Sequence, residues 1–243
     1  MVTQDTATKL RELALTGMLK ASLAQQADPA VQALAFDDRF GLLVDPDGTR
    51  RQQRRQDRLL KAARLRLAAA PEAVDFQTPR GLDPGMVRAL FTSEWITRHQ
   101  HGVIVGPTGV GKTFLACALG TAACRQGHAT RYYRLPRLLT ELAVAAGDGS
   151  APRLLTALAK VDLLILDDFG LADLSTKQGR DLLDVIDDRA GRRSTVVASP
   201  WPLDRWHGVI EDATVADALL DRLIHHAHKI VMQGDSMRKR SVP

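Results

Sequence analysis

The amino-acid sequence predicts an α/β fold, a parallel sheet flanked by helices on both sides, preceded by a small all-helical unit. From residue 101 onward, β-prone apolar runs alternate with helical patterns, which favours a parallel sheet. A glycine-rich motif joins the first of these runs to a helix. Before residue 70, apolar residues recur at helical spacing. We therefore divide the chain into residues 1–69 and residues 70–243.

The composition is that of an ordinary soluble protein. The chain has 243 residues, 45% of them hydrophobic and 25% charged, which is enough for a full α/β core and a smaller second unit. No apolar run approaches the roughly 18 residues of a membrane span, and the N-terminus lacks the pattern of a signal peptide. We expect a cytoplasmic protein that does not contact a membrane. Cys117 and Cys124 have no second pair for a zinc site and are expected to be buried thiols.

Helical periodicity organises the first 69 residues. It predicts one helix from Thr6 to about Gln26 and a second from Pro29 to Leu43. Asp45-Pro46-Asp47-Gly48 then has the composition of a turn. The third helix follows this turn.

This third helix is strongly basic. Between Arg50 and Arg66 there are eight basic residues and one acidic residue, Asp57, although the whole chain has a net charge of only +5. On a helical wheel the cations lie roughly opposite an apolar face that includes Leu59 and Leu60. One cationic face can follow nucleic-acid phosphates, and we predict contact with DNA or RNA, the alternative being a solvated surface helix. The predicted contacts are Arg50, Arg51, Arg54, Arg55, Arg58 and Lys61.

The second unit begins with a linker at residues 70–83, in which Pro71, Pro79 and Gly81 break regular structure. A helix is expected at residues 84–98. The five predicted strands are residues 103–105, 130–135, 161–166, 194–199 and 228–232, and the helices among them are residues 113–119, 136–146, 153–160, 177–190 and 214–228. In parallel sheets ligands bind at the carboxyl ends of the strands. We therefore expect the glycine-rich loop, Asp167 and Ser199 to meet at that edge.

The glycine-rich motif is Gly106-Pro107-Thr108-Gly109-Val110-Gly111-Lys112-Thr113, which fits G-x-x-x-x-G-K-[ST] in full. Glycines let backbone N–H groups converge on a phosphate, and the positive end of the following helix adds to them. Lys112 supplies a charge for the β- and γ-phosphates of a bound triphosphate, and Thr113 a hydroxyl for Mg²⁺. The predicted nucleotide-binding residues are the eight residues of the motif and Phe114.

Two acidic residues end the third predicted strand. Asp167 follows an apolar run, 55 positions after Lys112, and is assigned to Mg²⁺. Asp168 is then placed to orient or deprotonate the attacking water. Ser199, at the end of the fourth strand, could hold the same water or the γ-phosphate, or serve only as a turn residue. Arg222 lies opposite the apolar face of its helix, so it is either solvated or presented to another molecule, where it could stabilise a transferring phosphate in trans.

Three segments resemble the IstB family, the AAA+ ATPase helpers of insertion-sequence transposition, which are related to DnaC-type helicase loaders. The segments are Gly106–Thr113, Leu164-Ile165-Leu166-Asp167-Asp168-Phe169-Gly170 and Ala218-Leu219-Leu220-Asp221-Arg222-Leu223-Ile224-His225-His226-Ala227-His228. The resemblance implies an ATP-dependent homo-oligomer on target DNA that recruits and stimulates a transposase. It assigns Ser199 to the sensor I position, Arg222 to the trans arginine and Arg238 to sensor II.

The chain departs from AAA+ proteins in general at several points. Asp168 stands where a longer Glu is usual, so slow hydrolysis is expected, and Pro200 follows Ser199 where Asn or Gln is common. The 44 residues after Ser199 leave room only for a short helical lid or none. Two alternatives stay open. One is a helicase loader that works as a nucleotide-switched binding protein, and the other is a small-molecule kinase that uses the same loop.

Overall fold

The structure is a computed structural model, and it describes residues 3–237. The chain forms two compact units, of which the first ends at Arg58 and the second begins at Leu59.

The first unit consists of helices only. They are α1 Gln4–Glu12, α2 Thr16–Ala27, α3 Pro29–Gln32 and α4 Phe36–Ala63, the last of which continues into the second unit. The single helix predicted from Thr6 to Gln26 is wrong, because the chain turns at Ala14, whose φ is 57°. Thr3 caps α1, because its hydroxyl accepts a hydrogen bond from the N–H of Thr6. The helix predicted from Pro29 to Leu43 is likewise divided between α3 and α4.

The turn predicted at residues 45–48 is also wrong, since these residues lie inside α4. Pro46 removes one helical N–H donor, which normally favours a break. Here the neighbouring Asp47 is buried, and its carboxylate accepts hydrogen bonds from the backbone N–H groups of Gly17 and Met18 at 3.1 and 2.5 Å. These bonds satisfy free donors at the start of α2. A tertiary contact therefore outweighs the local turn composition.

The basic segment is helical, as predicted, but α4 ends at Ala63. Arg64 has a φ of 51°, which ends the helix there. Ala63 is fully buried, whereas Leu67 is exposed. The last residues of α4, from Leu59 onward, belong to the second unit, and the helix ends before Arg64.

The second unit contains a five-stranded parallel sheet, which confirms the predicted fold class. The strands are β1 His101–Val105, β2 Thr130–Arg134, β3 Leu163–Asp167, β4 Ser194–Ser199 and β5 Ala227–Val231, in the spatial order β2-β3-β4-β1-β5. All four neighbouring pairs are parallel. The carboxyl ends of β1, β3 and β4 are therefore adjacent at one edge of the sheet.

Helices cover both faces of this sheet. They are α5 Pro84–Phe91, α6 Glu94–Thr97, α7 Lys112–Arg125, α8 Leu135–Asp148, α9 Ala151–Lys160, α10 Thr176–Asp187 and α11 Ala213–Ile224. The helix predicted at residues 84–98 is split, because Ser93 adopts a φ of 63° between α5 and α6. The linker at residues 70–83 holds a single 3₁₀ turn at Pro71–Ala73.

The core has two layers, one on each face of the sheet. Successive residues of a strand point to opposite faces, so Val103 and Val105 join one cluster and Ile104 joins the other. The first cluster includes residues of α8, α10 and α11, and the second includes residues of α5 and α7. In the described part of the chain no α-helix follows β5, and none of the helices is long and apolar enough to span a membrane.

Candidate active site

The glycine-rich loop leaves the carboxyl end of β1 and leads directly into α7. Gly106, Gly109 and Gly111 have φ values of 150°, 93° and 104°, a region that side chains strongly disfavour. A Cβ at Gly106 would collide with the carbonyl of Met232, and one at Gly109 with the Ser236 side chain. Only glycine fits these two positions, because the backbone has a positive φ and there is no space for a side chain.

Segments far apart in sequence hold the loop from outside. The N–H of Met237 donates to the carbonyl of Gly109 at 3.0 Å, and that of Met232 donates to Val105 at 2.7 Å. The guanidinium of Arg80 donates to the carbonyl of Val110 at 3.1 Å, and the carbonyl of Arg80 accepts from Gln233 at 2.9 Å. The segment at residues 70–83 and the segment after β5 therefore fix the shape of the loop.

Asp167 joins the loop to β3. Its Oδ2 accepts hydrogen bonds from the hydroxyls of Thr113 and Tyr132, both at 2.7 Å, and its Oδ1 accepts from the N–H of Asp168 at 2.9 Å. The residue is 2% exposed. A threonine hydroxyl beside a buried carboxylate is the oxygen pair that suits Mg²⁺, and this arrangement fits that ion.

Asp168 is held by two arginines. Its Oδ2 lies 2.6 Å from Nε of Arg134 and 3.7 Å from a guanidinium nitrogen of Arg66. The hydrogen bond from Arg134 to this carboxylate raises the pKa of Arg134. Asp168 has a φ of 62°, a conformation that Asp tolerates better than most residues. The carboxylate is therefore near the loop but engaged in ion pairs.

These groups line one cavity of about 480 Å³. Of the predicted site residues, the cavity is lined by Thr108, Gly109, Gly111, Lys112, Thr113, Phe114, Asp167 and Asp168. Nζ of Lys112 donates to the carbonyls of Gly106 and Pro107 at 2.7 and 2.8 Å. Val110 belongs to the loop but is fully buried, so it supports the loop from within. The structure thus gathers the two predicted motifs in one place.

Ser199 is not brought into this cavity. It is fully buried, and its hydroxyl donates to the carbonyl of Phe169 at 2.8 Å and accepts from the N–H of Trp201 at 3.1 Å. Its carbonyl accepts from the N–H of Gly106 at 3.3 Å. In this arrangement Ser199 ties together the ends of β1, β3 and β4.

Arg222 lies at the opposite edge of the sheet. It lines a second cavity with His101, the first residue of β1, whereas the phosphate loop follows the last residue of that strand. Its guanidinium pairs with Asp187 and donates to the carbonyl of Ala218 at 2.7 Å. The side chain is 33% exposed. Within one chain, Arg222 is therefore remote from Lys112 and Asp168.

The predicted DNA-contacting residues all lie on α4. Arg51, Arg54, Arg55, Arg58 and Lys61 are exposed, whereas Arg50 is partly buried and bonded to the hydroxyl of Thr16. The remaining predicted site residue, Arg238, lies outside the described residues. The charged helix face is consequently present as expected, apart from Arg50.

Sequence reasoning missed Arg66, Tyr132, Arg134 and Arg80. Arg134 ends β2 opposite Asp167, and Tyr132 lies two residues earlier on the same strand. The sequence does place the polar residue Arg134 at the end of a strand. Only the strand order, however, shows that this strand lies next to β3. Nothing in the sequence pointed to Arg66 or Arg80.

A parallel sheet with a phosphate loop between β1 and α7 and paired carboxylates after β3 defines a P-loop nucleoside triphosphatase of the AAA+ class. Within that class, the chain belongs to the IstB-like ATP binding protein family, whose model matches residues 8–242. The family resemblance of the sequence is therefore confirmed.

The curated relatives cover nearly the whole chain. A Sinorhizobium fredii protein named as an insertion sequence ATP-binding protein is 43% identical over 239 residues, which are 98% of this chain and 98% of that protein. A Pseudomonas fluorescens protein, named as an ATP-binding protein of insertion sequence IS1162, is 49% identical over 203 residues, 83% of this chain and 88% of its own.

Two solved structures share the fold. The chain matches DnaI with a TM-score of 0.58 at 20% identity, over 72% of this chain and 93% of DnaI. It matches the DnaC helicase loader with a TM-score of 0.52 at 21% identity, over 60% of this chain and 86% of the loader. At this identity the likeness concerns the fold alone.

Proposed function

We propose that this protein hydrolyses ATP with Mg²⁺ at the cavity between the phosphate loop and β3. The observation that carries the proposal is the hydrogen bond from Thr113 to Asp167, which joins the two halves of the nucleotide motif at 2.7 Å. The loop N–H groups, the amino end of α7 and Lys112 bind the phosphates. Thr113 and Asp167 hold Mg²⁺, which neutralises charge on the phosphates.

Asp168 is the group that orients or deprotonates the attacking water. Its pairing with Arg134 and Arg66 opposes this role, because a carboxylate oxygen engaged by two cations is not free to bind a water molecule. Hydrolysis therefore requires Asp168 to leave Arg134, and the rate of the isolated chain is slow. The terminal phosphate of ATP is an anion that can take the place of Asp168 beside Arg134.

Arg222 acts in trans in an assembly of several copies. It lies at the edge of the sheet opposite the phosphate loop, so it is unavailable to the site of its own chain but open to a neighbour. An arginine supplied by a second subunit stabilises charge on the transferring phosphate, and hydrolysis then depends on assembly. Ser199 acts by fixing the strand ends, and Arg238 is assigned to the nucleotide by family resemblance only.

The biological role is an ATP-dependent regulator of transposition in the cytoplasm. The helices of the first unit, together with α4, bind target DNA and the partner protein, with the cations of α4 on the phosphates, and the second unit forms the ATPase domain. Relatives that match nearly the full length are named for insertion sequences, which supports a transposase as the partner. The helicase-loader alternative has only a fold likeness in its favour.

Two variants test this function. Lys112→Ala removes the charge that binds phosphate, and we expect it to abolish ATP binding. Asp168→Asn keeps the side-chain size and is expected to bind ATP, hydrolyse it poorly and stay on DNA, as measured by phosphate release and by retention on a labelled duplex. Equal hydrolysis rates in Asp168→Asn and the wild type would remove Asp168 from the mechanism, and normal ATP binding by Lys112→Ala would refute the loop assignment.

A further inference from the structure

Asp167 has a second hydroxyl partner that the nucleotide motifs do not include. Tyr132 donates to the same oxygen, Oδ2, that accepts the hydrogen bond from Thr113, and both bonds are 2.7 Å long. With the N–H of Asp168 on Oδ1, the carboxylate of Asp167 has three donors. We propose that Tyr132 is a positioning residue, which holds this carboxylate in the orientation needed for Mg²⁺. The inference rests on the proposed function and deepens it.

The position of Tyr132 follows from strand register. Tyr132 pairs with Ile165 across β2 and β3, and Asp167 lies two residues further along on the same face of β3. The ring is only 7% exposed and belongs to the core cluster that covers this face. A phenol is long enough to reach from this core position to the end of the neighbouring strand. Close packing around the ring leaves the hydroxyl little freedom to move.

The phenol is the donor in its hydrogen bond with Asp167, and Oδ2 of the carboxylate accepts. Burial is the main reason why the pKa of Tyr132 is raised, and the neighbouring Asp167 raises it further.

A fixed Oδ2 also orients Thr113. The Thr113 hydroxyl has one proton, which it donates to Oδ2, so its lone pairs remain available to a cation in the cavity. Without Tyr132, Asp167 can rotate and Thr113 loses a defined acceptor. Partners that orient metal ligands in this way commonly matter for metal affinity about 10- to 100-fold.

The neighbouring Tyr133 offers a matched control. It is equally buried, at 7% exposure, but it lies on the other face of β2 and belongs to the other core cluster. Its hydroxyl lies 3.5 Å from Arg131. Tyr133→Phe therefore removes the same atom from the same strand while leaving Asp167 untouched.

The test measures binding of a fluorescent ATP analogue by the full chain, first in EDTA and then against increasing Mg²⁺. For Tyr132→Phe we expect unchanged affinity in EDTA and an increase of about 10-fold in the half-saturating Mg²⁺ concentration. Tyr133→Phe should match the wild type in both conditions. Thermal unfolding of each variant is recorded alongside.

Several outcomes would overturn the inference. A wild-type Mg²⁺ dependence in Tyr132→Phe would show that the hydroxyl does not position Asp167. Equal losses in EDTA and in Mg²⁺, with a lower unfolding temperature, would assign Tyr132 to the core only. If the wild type binds the analogue without any response to Mg²⁺, the proposed function fails together with the inference.

Discussion

Neutralising two cations of α4 tests the DNA-binding face quantitatively. Arg54 and Arg58 are one turn apart and both exposed, so Arg54→Gln with Arg58→Gln removes two charges from the same side of the helix. If each arginine neutralises one phosphate, the slope of log affinity against log salt becomes shallower by about 1.8. With equal affinities of the variant and the wild type at 1 M salt, the variant then binds DNA roughly 60-fold more weakly than the wild type at 0.1 M salt.

Fluorescence anisotropy of a labelled duplex across a series of potassium chloride concentrations measures both quantities. The matched control changes Arg98 and Arg153, two exposed arginines of the second unit, to Gln. It alters the net charge by the same amount but leaves α4 intact. If the α4 variant keeps the wild-type slope and affinity, or if the control loses as much, then α4 does not contact DNA through this face.

Three further predictions concern the second unit. Arg134→Gln frees Asp168 from its closest ion pair, and we expect a higher rate of ATP hydrolysis without DNA and weaker stimulation by DNA. The control is Arg137→Gln, on the exposed side of α8. An unchanged basal rate in Arg134→Gln would show that Arg134 does not restrain Asp168. Burial lowers the pKa of His101 to about 4, so the unfolded chain binds the extra proton first, and the free energy of unfolding should fall as pH drops from about 6.5 towards 4. His101→Gln should flatten that fall, as measured by urea unfolding at each pH, whereas the exposed His99→Gln should not; equal pH profiles would refute the assignment. Arg189 is fully buried and donates hydrogen bonds to the carbonyls of Leu158, Val161 and Ser194. Because Arg189→Met leaves these acceptors unpaired, it should lower the free energy of unfolding by more than about 3 kcal/mol. A loss below about 1 kcal/mol would contradict this expectation.

The fold class was predictable because its signals are local. A strand, a glycine-rich loop and a helix follow one another directly in sequence, and the apolar runs of β3 and β4 were recognisable by themselves. The errors in the first unit arose where a distant contact decides. Asp47 satisfies the start of α2 from inside α4, and neither the composition nor the periodicity of residues 45–48 contains that information.

The site was predictable only as far as its motifs are contiguous. Lys112, Thr113, Asp167 and Asp168 were named from sequence, and the structure gathers them around one cavity. The residues around them depend on which strands are neighbours. Arg134 faces Asp168 only because β2 pairs with β3, and that strand order could not be read from one sequence. The hydrogen bonds of the buried Ser199 could not be predicted from one sequence either.

ATP hydrolysis by the purified protein, measured over a range of protein concentrations with and without double-stranded DNA, tests directly whether the site is completed by a second subunit. Because Arg222 is remote from the phosphate loop of its own chain, we expect a rate per subunit that rises steeply with concentration and further with DNA. A rate per subunit that is independent of both would mean a site complete within one chain. That result would contradict an assembled ATPase and would favour the small-molecule kinase alternative.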